Sequence, residues 1–231
     1  MSKPTWARNV VVCLGLLAVG GVRLLGAASD DYGVITFRGP ETWAMATKAP
    51  SFITPAMMPS GKLYTIYSNL GPKNDAYYAG NGYYVSGPGT SQGQQWIGMP
   101  FTPKSDAEVT EIKIALTYGY GPVNGAVVSL NETSKGFPGK ALDTWNVKNL
   151  PAFGRCCTLK VVKDGKGLPV KKGTKYWVVA STNDREALVV DFWNFTYNRA
   201  YGTHAVNTGS GWQNGQMDVL SAFGVFGQKT K

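Results

Sequence analysis

Short runs of β-branched and aromatic residues, each closed off by glycine, proline or asparagine, recur along this chain from Leu63 to Phe226. Runs of this length bounded by turn residues read as strands rather than helices. Ten of them stand out: Leu63–Ser68, Tyr83–Ser86, Gln95–Phe101, Val109–Tyr118, Ala126–Asn131, Leu142–Val147, Thr158–Val162, Lys175–Ser181, Leu188–Asn194 and Ala222–Phe226. In Glu111 to Thr117 polar and apolar residues alternate, so Ile112, Ile114 and Leu116 share one face, which is expected to be core. Asn81-Gly82 and Asp164-Gly165 suit backbone with positive φ, and each is expected to close a tight hairpin. No stretch carries a helical stripe of useful length. The expected fold is all-β: an antiparallel β-sandwich, jelly-roll-like, of about ten strands.

Composition agrees with that rhythm. The 29 glycines and 13 prolines make about 18% of the 231 residues, against roughly 12% in an average protein. With 43% hydrophobic and 16% charged residues, the chain can bury a core. It holds one histidine, and after the N-terminus it has no run of about 20 apolar residues. A His-rich metal centre and a multi-span membrane protein are thereby excluded.

The N-terminal 28 residues read as a secretory signal. Lys3 and Arg8 form a basic start, Val10 to Val22 an apolar stretch, and Gly26-Ala27-Ala28 a small-residue cleavage site. Arg23 interrupts the apolar stretch and argues against a stable anchor; an uncleaved N-terminal anchor is the alternative. Residues 29–60 form a lead-in arm, 61–227 the sandwich and 228–231 a basic tail. The expected destination is outside the cell or at its surface, with the periplasm as the other compartment. No transmembrane span is expected after signal removal.

Beyond residue 28 the chain keeps 20 basic and 14 acidic side chains. Six of the lysines cluster at Lys160, Lys163, Lys166, Lys171, Lys172 and Lys175. They read either as a patch for polyanions or as cations that guard a sheet edge against pairing, and the second reading is preferred. No specific nucleic-acid partner is expected. Cys156 and Cys157 are adjacent, which leaves open a vicinal disulfide, paired thiols in the core or a bridge between molecules.

Several segments resemble a known kind of domain. Ile66-Tyr67-Ser68-Asn69-Leu70-Gly71-Pro72, Met99-Pro100-Phe101-Thr102-Pro103, Gly136-Phe137-Pro138-Gly139 with Leu142, Asn149 to Gly154 with Cys156-Cys157, and Gly173 to Ala180 occur in that order. The series resembles secreted bacterial β-sandwich domains of the choice-of-anchor type. That resemblance implies an exported sandwich and little about activity. Such proteins often end in an anchoring tail, whereas Gln228-Lys229-Thr230-Lys231 is not apolar, so release or non-covalent retention at the surface is expected.

Catalytic patterns are weak. Gly89-Thr90-Ser91-Gln92-Gly93 matches G-x-S-x-G, but a nucleophile elbow needs a strand before it and a helix after it, and here a strand-like run follows. Asp184, Glu186 and Asp191 are the densest acids, but Asp184 and Glu186 read as a solvated turn and Asp191 as the start of an aromatic strand rather than as a glycosidase pair. No catalytic residue, metal site or cofactor is expected. The aromatic residues are more informative, because sugar binding pairs Trp or Tyr faces with amide hydrogen bonds. Tyr78, Tyr84, Trp193, Tyr197 and Trp212 are the candidate ligand contacts, while Trp96, Trp145 and Trp177 read as core. The expected function is a non-catalytic surface interaction or adhesion module, with polysaccharide or another surface component as partner. A polysaccharide-active enzyme and a structural envelope or matrix component are the alternatives.

Overall fold

The structure, a computed structural model, describes residues 63–230 and the backbone of 34–36. In chain order the strands are β1 (Val34–Thr36), β2 (Tyr64–Ser68), β3 (Tyr77–Ser86), β4 (Trp96–Phe101), β5 (Ala107–Ile114), β6 (Leu116–Tyr120), β7 (Gly125–Ser134) and β8 (Phe137–Lys148). There follow β9 (Lys160–Val170), β10 (Tyr176–Ser181), β11 (Val190–Thr196), β12 (Tyr201–Gly202), β13 (Ala205–Asn207), β14 (Trp212–Asn214), β15 (Asp218–Val219) and β16 (Phe223–Lys229). Each of the ten expected runs overlaps a strand, Val109–Tyr118 being divided between β5 and β6 at Ala115; β1 and the short β12 to β15 are additional. The only helical pieces among the described residues are two single 3-10 turns, Pro72–Asn74 and Asp184–Glu186. No helix among them is long and apolar enough to cross a membrane. The signal segment and most of the expected arm lie outside the described residues, but Val34–Thr36 pairs with β3 at Tyr83 to Asn81.

Two layers enclose the core. One is a six-stranded sheet in the order β14-β13-β4-β10-β7-β8. The other joins two four-stranded sheets, β1-β3-β11-β6 and β2-β16-β5-β9, with the ribbon β12-β15 beside them. All the paired strands are antiparallel. The two smaller sheets are stitched at Ala115, where β5 passes into β6. Ala115 N donates to Ala222 O (3.1 Å), Asn194 N to Ala115 O (2.9 Å) and Ala222 N to Asn194 O (2.8 Å). Facing apolar residues fill the space between the layers, with Ile97, Met99, Val128, Leu130 and Val178 on one side and Ile112, Ile114, Leu116, Trp193 and Phe223 on the other. The expected core face of Ile112, Ile114 and Leu116 is therefore correct.

Neither expected hairpin forms. Asn81-Gly82 lies inside β3, where Gly82 pairs with Asn194 but the next pair on β11 is Phe195 with Tyr78. Residues 79–81 bulge out, and the Asn194 amide holds the bulge by donating to Ala79 O (3.1 Å) and Asn81 O (3.3 Å). Glycine is required at 82 by close approach, since a Cβ there would stand 2.8 Å from Trp193 O. Asp164-Gly165 likewise belongs to a bulge in β9, which pairs with β5 on both sides of it. In both places local turn chemistry is spent on a bulge because the flanking residues already have a partner strand.

Candidate functional site

Along Trp96-Ile97-Gly98-Met99-Pro100-Phe101 the side chains alternate, and Ile97, Met99 and Phe101 point into the core. Trp96, Gly98 and Pro100 therefore face outward. Asn207 of β13 is the register partner of Trp96 on one side and of Trp212 on the other. Directly opposed residues of antiparallel strands share a face, so Trp212, Asn207 and Trp96 form one row on the outside of the six-stranded sheet. The row continues through Ser181, which lies one step beyond the Ala180–Ile97 pair and opposes Val127, and then to Asn146.

Hydrogen bonds fix the orientation of this row. Trp96 Nε1 donates to Thr182 Oγ1 (3.0 Å), leaving the indole half-buried. Gln94 Nε2 donates to Asn207 Oδ1 (3.2 Å), and Asn183 Nδ2 to Asn146 Oδ1 (3.1 Å). Below the row the face is closed over. The beginning of β8 folds across the sheet, so that a Cβ at Gly98 would meet Pro138 Cγ at 2.8 Å and the Trp212 ring at 3.5 Å. Trp177, 4% exposed, is sealed there with Val179 and Ala205, against which Phe137 and Trp212 pack. Its Nε1 donates to Thr133 Oγ1 (3.0 Å), and Lys175 lies over its ring at 5.8 Å.

The expected aromatic contacts do not share one site. Trp193 is a correction: it is 0% exposed, stacks edge-on against Phe223 and donates Nε1 to Ala222 O (2.9 Å), so it is a core residue beneath the seam. Tyr84 lies on the outer face of the opposite layer beside Phe192, its hydroxyl pushed up by burial and by nearby Tyr120. Tyr78 packs against the core under the Arg199 guanidinium (5.7 Å), and Tyr197 stands nearby against Gly71. Trp212 alone of the five joins the row described above. Trp96, read as core, belongs to it too, and the alternation of β4 was the signal that could have shown this.

The lysines are less concentrated than their spacing suggested. Lys163 pairs with Glu111 (3.6 Å) and Lys171 with Asp106 (3.2 Å), whose other oxygen accepts Lys172 N (2.8 Å). These bonds, the Lys172 N–H first, hold the Asp106 carboxyl below its usual range. Burial lowers Lys160. Since β9 is the outermost strand of its sheet, Lys160, Lys163 and Lys166 stand on an edge.

Cys156 and Cys157 are joined as a vicinal disulfide across a cis peptide bond. Their loop is pinned to the seam by Tyr77, whose hydroxyl donates to Arg155 O (3.2 Å) and accepts from Thr158 N (3.3 Å).

The groups with the strongest electrostatic perturbation lie inside the sandwich. Asp191 shares the inward face of β11 with Trp193, is 0% exposed and has no hydrogen-bond partner for either oxygen. Burial, helped by the negative charge of Glu186, pushes its carboxyl up to about 8. Glu186 is itself enclosed and caps its turn by accepting Asn183 N (3.1 Å). His204, 2% exposed, stacks against Tyr83 at 4.4 Å between ring centroids, and neither ring nitrogen has a partner. Burial holds it down to about 4, with Asp218 pulling the other way. Ser91 of the G-x-S-x-G match sits in a turn between β3 and β4, bonded to Gln92 Oε1 (2.9 Å) and followed by a strand. No three His, Cys, Asp or Glu side chains gather as a metal site among the described residues.

The fold and the outward row define an all-β sandwich with an aromatic and amide face. No family model, curated protein or solved structure matches the chain.

Proposed function

We propose that the protein is an exported, non-catalytic interaction module that binds carbohydrate on the outer face of its six-stranded sheet. The observation that carries this reading is the row Trp212, Asn207, Trp96, in which two half-buried indoles flank an amide. Indole faces cover the apolar side of a sugar ring and amides exchange hydrogen bonds with its hydroxyls. The basic start, apolar stretch and Gly26-Ala27-Ala28 of the N-terminus support export, and the likeness to choice-of-anchor sandwiches agrees. Enclosure of Asp191 and Glu186 supports a binding rather than a hydrolytic role, because a glycosidic oxygen must reach its acid.

Pull-down of the purified protein with insoluble and soluble polysaccharides, with released reducing sugar assayed in the same samples, tests the proposal. Binding without hydrolysis is expected, lost on Trp212→Ala or Trp96→Ala and retained on Tyr84→Ala. Sugar release, or the absence of binding to every polymer, would overturn it.

A further inference from the structure

Resting on that reading, we infer that the ligand is an uncharged glycan chain lying across the strands rather than a polyanion or a single terminal sugar. The row runs Trp212, Asn207, Trp96, Ser181, Val127, Asn146, one residue from each of the six strands. None of these side chains ionises, although the protein as a whole carries a net charge of +9. A site for a polyanion would place cations along the path, because displacing counterions supplies most of the affinity for such polymers. Five of the six clustered lysines lie instead on β9 and the turn after it, in the other layer, where Glu111 and Asp106 already pair with two of them, and Lys175 stands over Trp177 at the opposite end of β10 from Ser181.

Length follows from the same row. Neighbouring strands stand about 4.8 Å apart, so the five gaps between β14 and β8 span roughly 24 Å, enough for several sugars in line. Polar groups recur along that span. Asn207 lies between the indoles, Ser181 follows Trp96, and the Asn183 to Asn146 hydrogen bond (3.1 Å) marks the far end. The adjacent row at Gly98 and Val179 is covered by Pro138 and Trp212, whereas the upper row leaves Asn146 exposed and Trp212, Asn207, Trp96 and Ser181 half-exposed, with Val127 buried among them.

The test uses neutral β-linked gluco-, xylo- and manno-oligosaccharides from disaccharide to hexasaccharide, with heparin and polygalacturonate as anionic probes, in titration calorimetry at low and high salt. Affinity for one neutral series is expected to increase with every added sugar and to be insensitive to salt. Asn146→Ala is expected to weaken the hexasaccharide about fivefold, the loss of one net hydrogen bond, and to leave the disaccharide unchanged. Affinity that stops growing at the disaccharide, or salt-sensitive binding confined to the anionic polymers, overturns this inference. The first of those outcomes leaves carbohydrate binding standing, whereas no binding to any probe removes both.

Discussion

Replacing Asp191 with asparagine is expected to stabilise the protein at neutral and alkaline pH, which is unusual for a change at a fully buried position. The native carboxyl keeps its proton to about pH 8, while the unfolded chain releases it near 3.8. Its contribution to stability is thus complete below the unfolded value and is lost as pH rises through the folded one, at about 1.4 kcal/mol per pH unit. Integrated from 3.8 to about 8, the loss is on the order of 6 kcal/mol. His204 acts with the opposite sign. Its folded value of about 4 against 6.5 means stability present above 6.5 and lost as pH falls through 4, on the order of 3 kcal/mol. Between those limits the two slopes cancel, so wild-type stability is expected to be nearly flat from pH 4 to 6.5 and then to fall by roughly 2 kcal/mol up to pH 8. Asp191→Asn removes one slope: its stability should rise from pH 4 to 6.5 and then level off. Urea midpoints followed by tryptophan fluorescence across this range measure both curves, with Trp193 as a buried reporter beside the site. Parallel curves for the two proteins would refute the reasoning, since they would mean that Asp191 titrates alike in the folded and unfolded chains.

Two further substitutions test the seam and the bulge. Asn194→Ala removes the amide that the carbonyls of Ala79 and Asn81 accept from and leaves the Thr117 hydroxyl, which donates to Asn194 Oδ1 at 2.7 Å, with only the longer contact to Phe192 O (3.4 Å), and is expected to lower stability by roughly 3 kcal/mol in chemical denaturation. Gly82→Ala drives a methyl against Trp193 O and should lower the thermal midpoint, by about 1 to 3 kcal/mol in free-energy terms, whereas Gly165→Ala, with open space around its Cα, should leave the midpoint nearly unchanged.

Sidedness was legible along individual strands. The alternation in β5 and β6 names Ile112, Ile114 and Leu116 as core, and the same reasoning applied to β4 separates Ile97, Met99 and Phe101 from Trp96, Gly98 and Pro100. The candidate site was legible only in part. Trp212 was recognisable from its polar surroundings, but Trp193 has asparagine and aromatic neighbours as well and lies at the centre of the core. Composition around a tryptophan says that polar groups are near in sequence; it does not say whether another sheet covers the ring.

The amino-acid sequence by itself determined that this chain builds short antiparallel strands with one apolar face each, because strand periodicity and turn chemistry are local properties of the backbone. Tertiary structure decided which strands became neighbours, and with them the rest. Asn207 lies more than a hundred residues beyond Trp96 and meets it only because β13 pairs with β4. Asn81-Gly82 became part of a bulge because β11 runs along both sides of it, and Asp191 was enclosed because the six-stranded sheet closes over β11. Each outcome depends on pairing between segments distant in sequence, and a periodicity of two residues records which face a side chain takes but not what lies opposite that face.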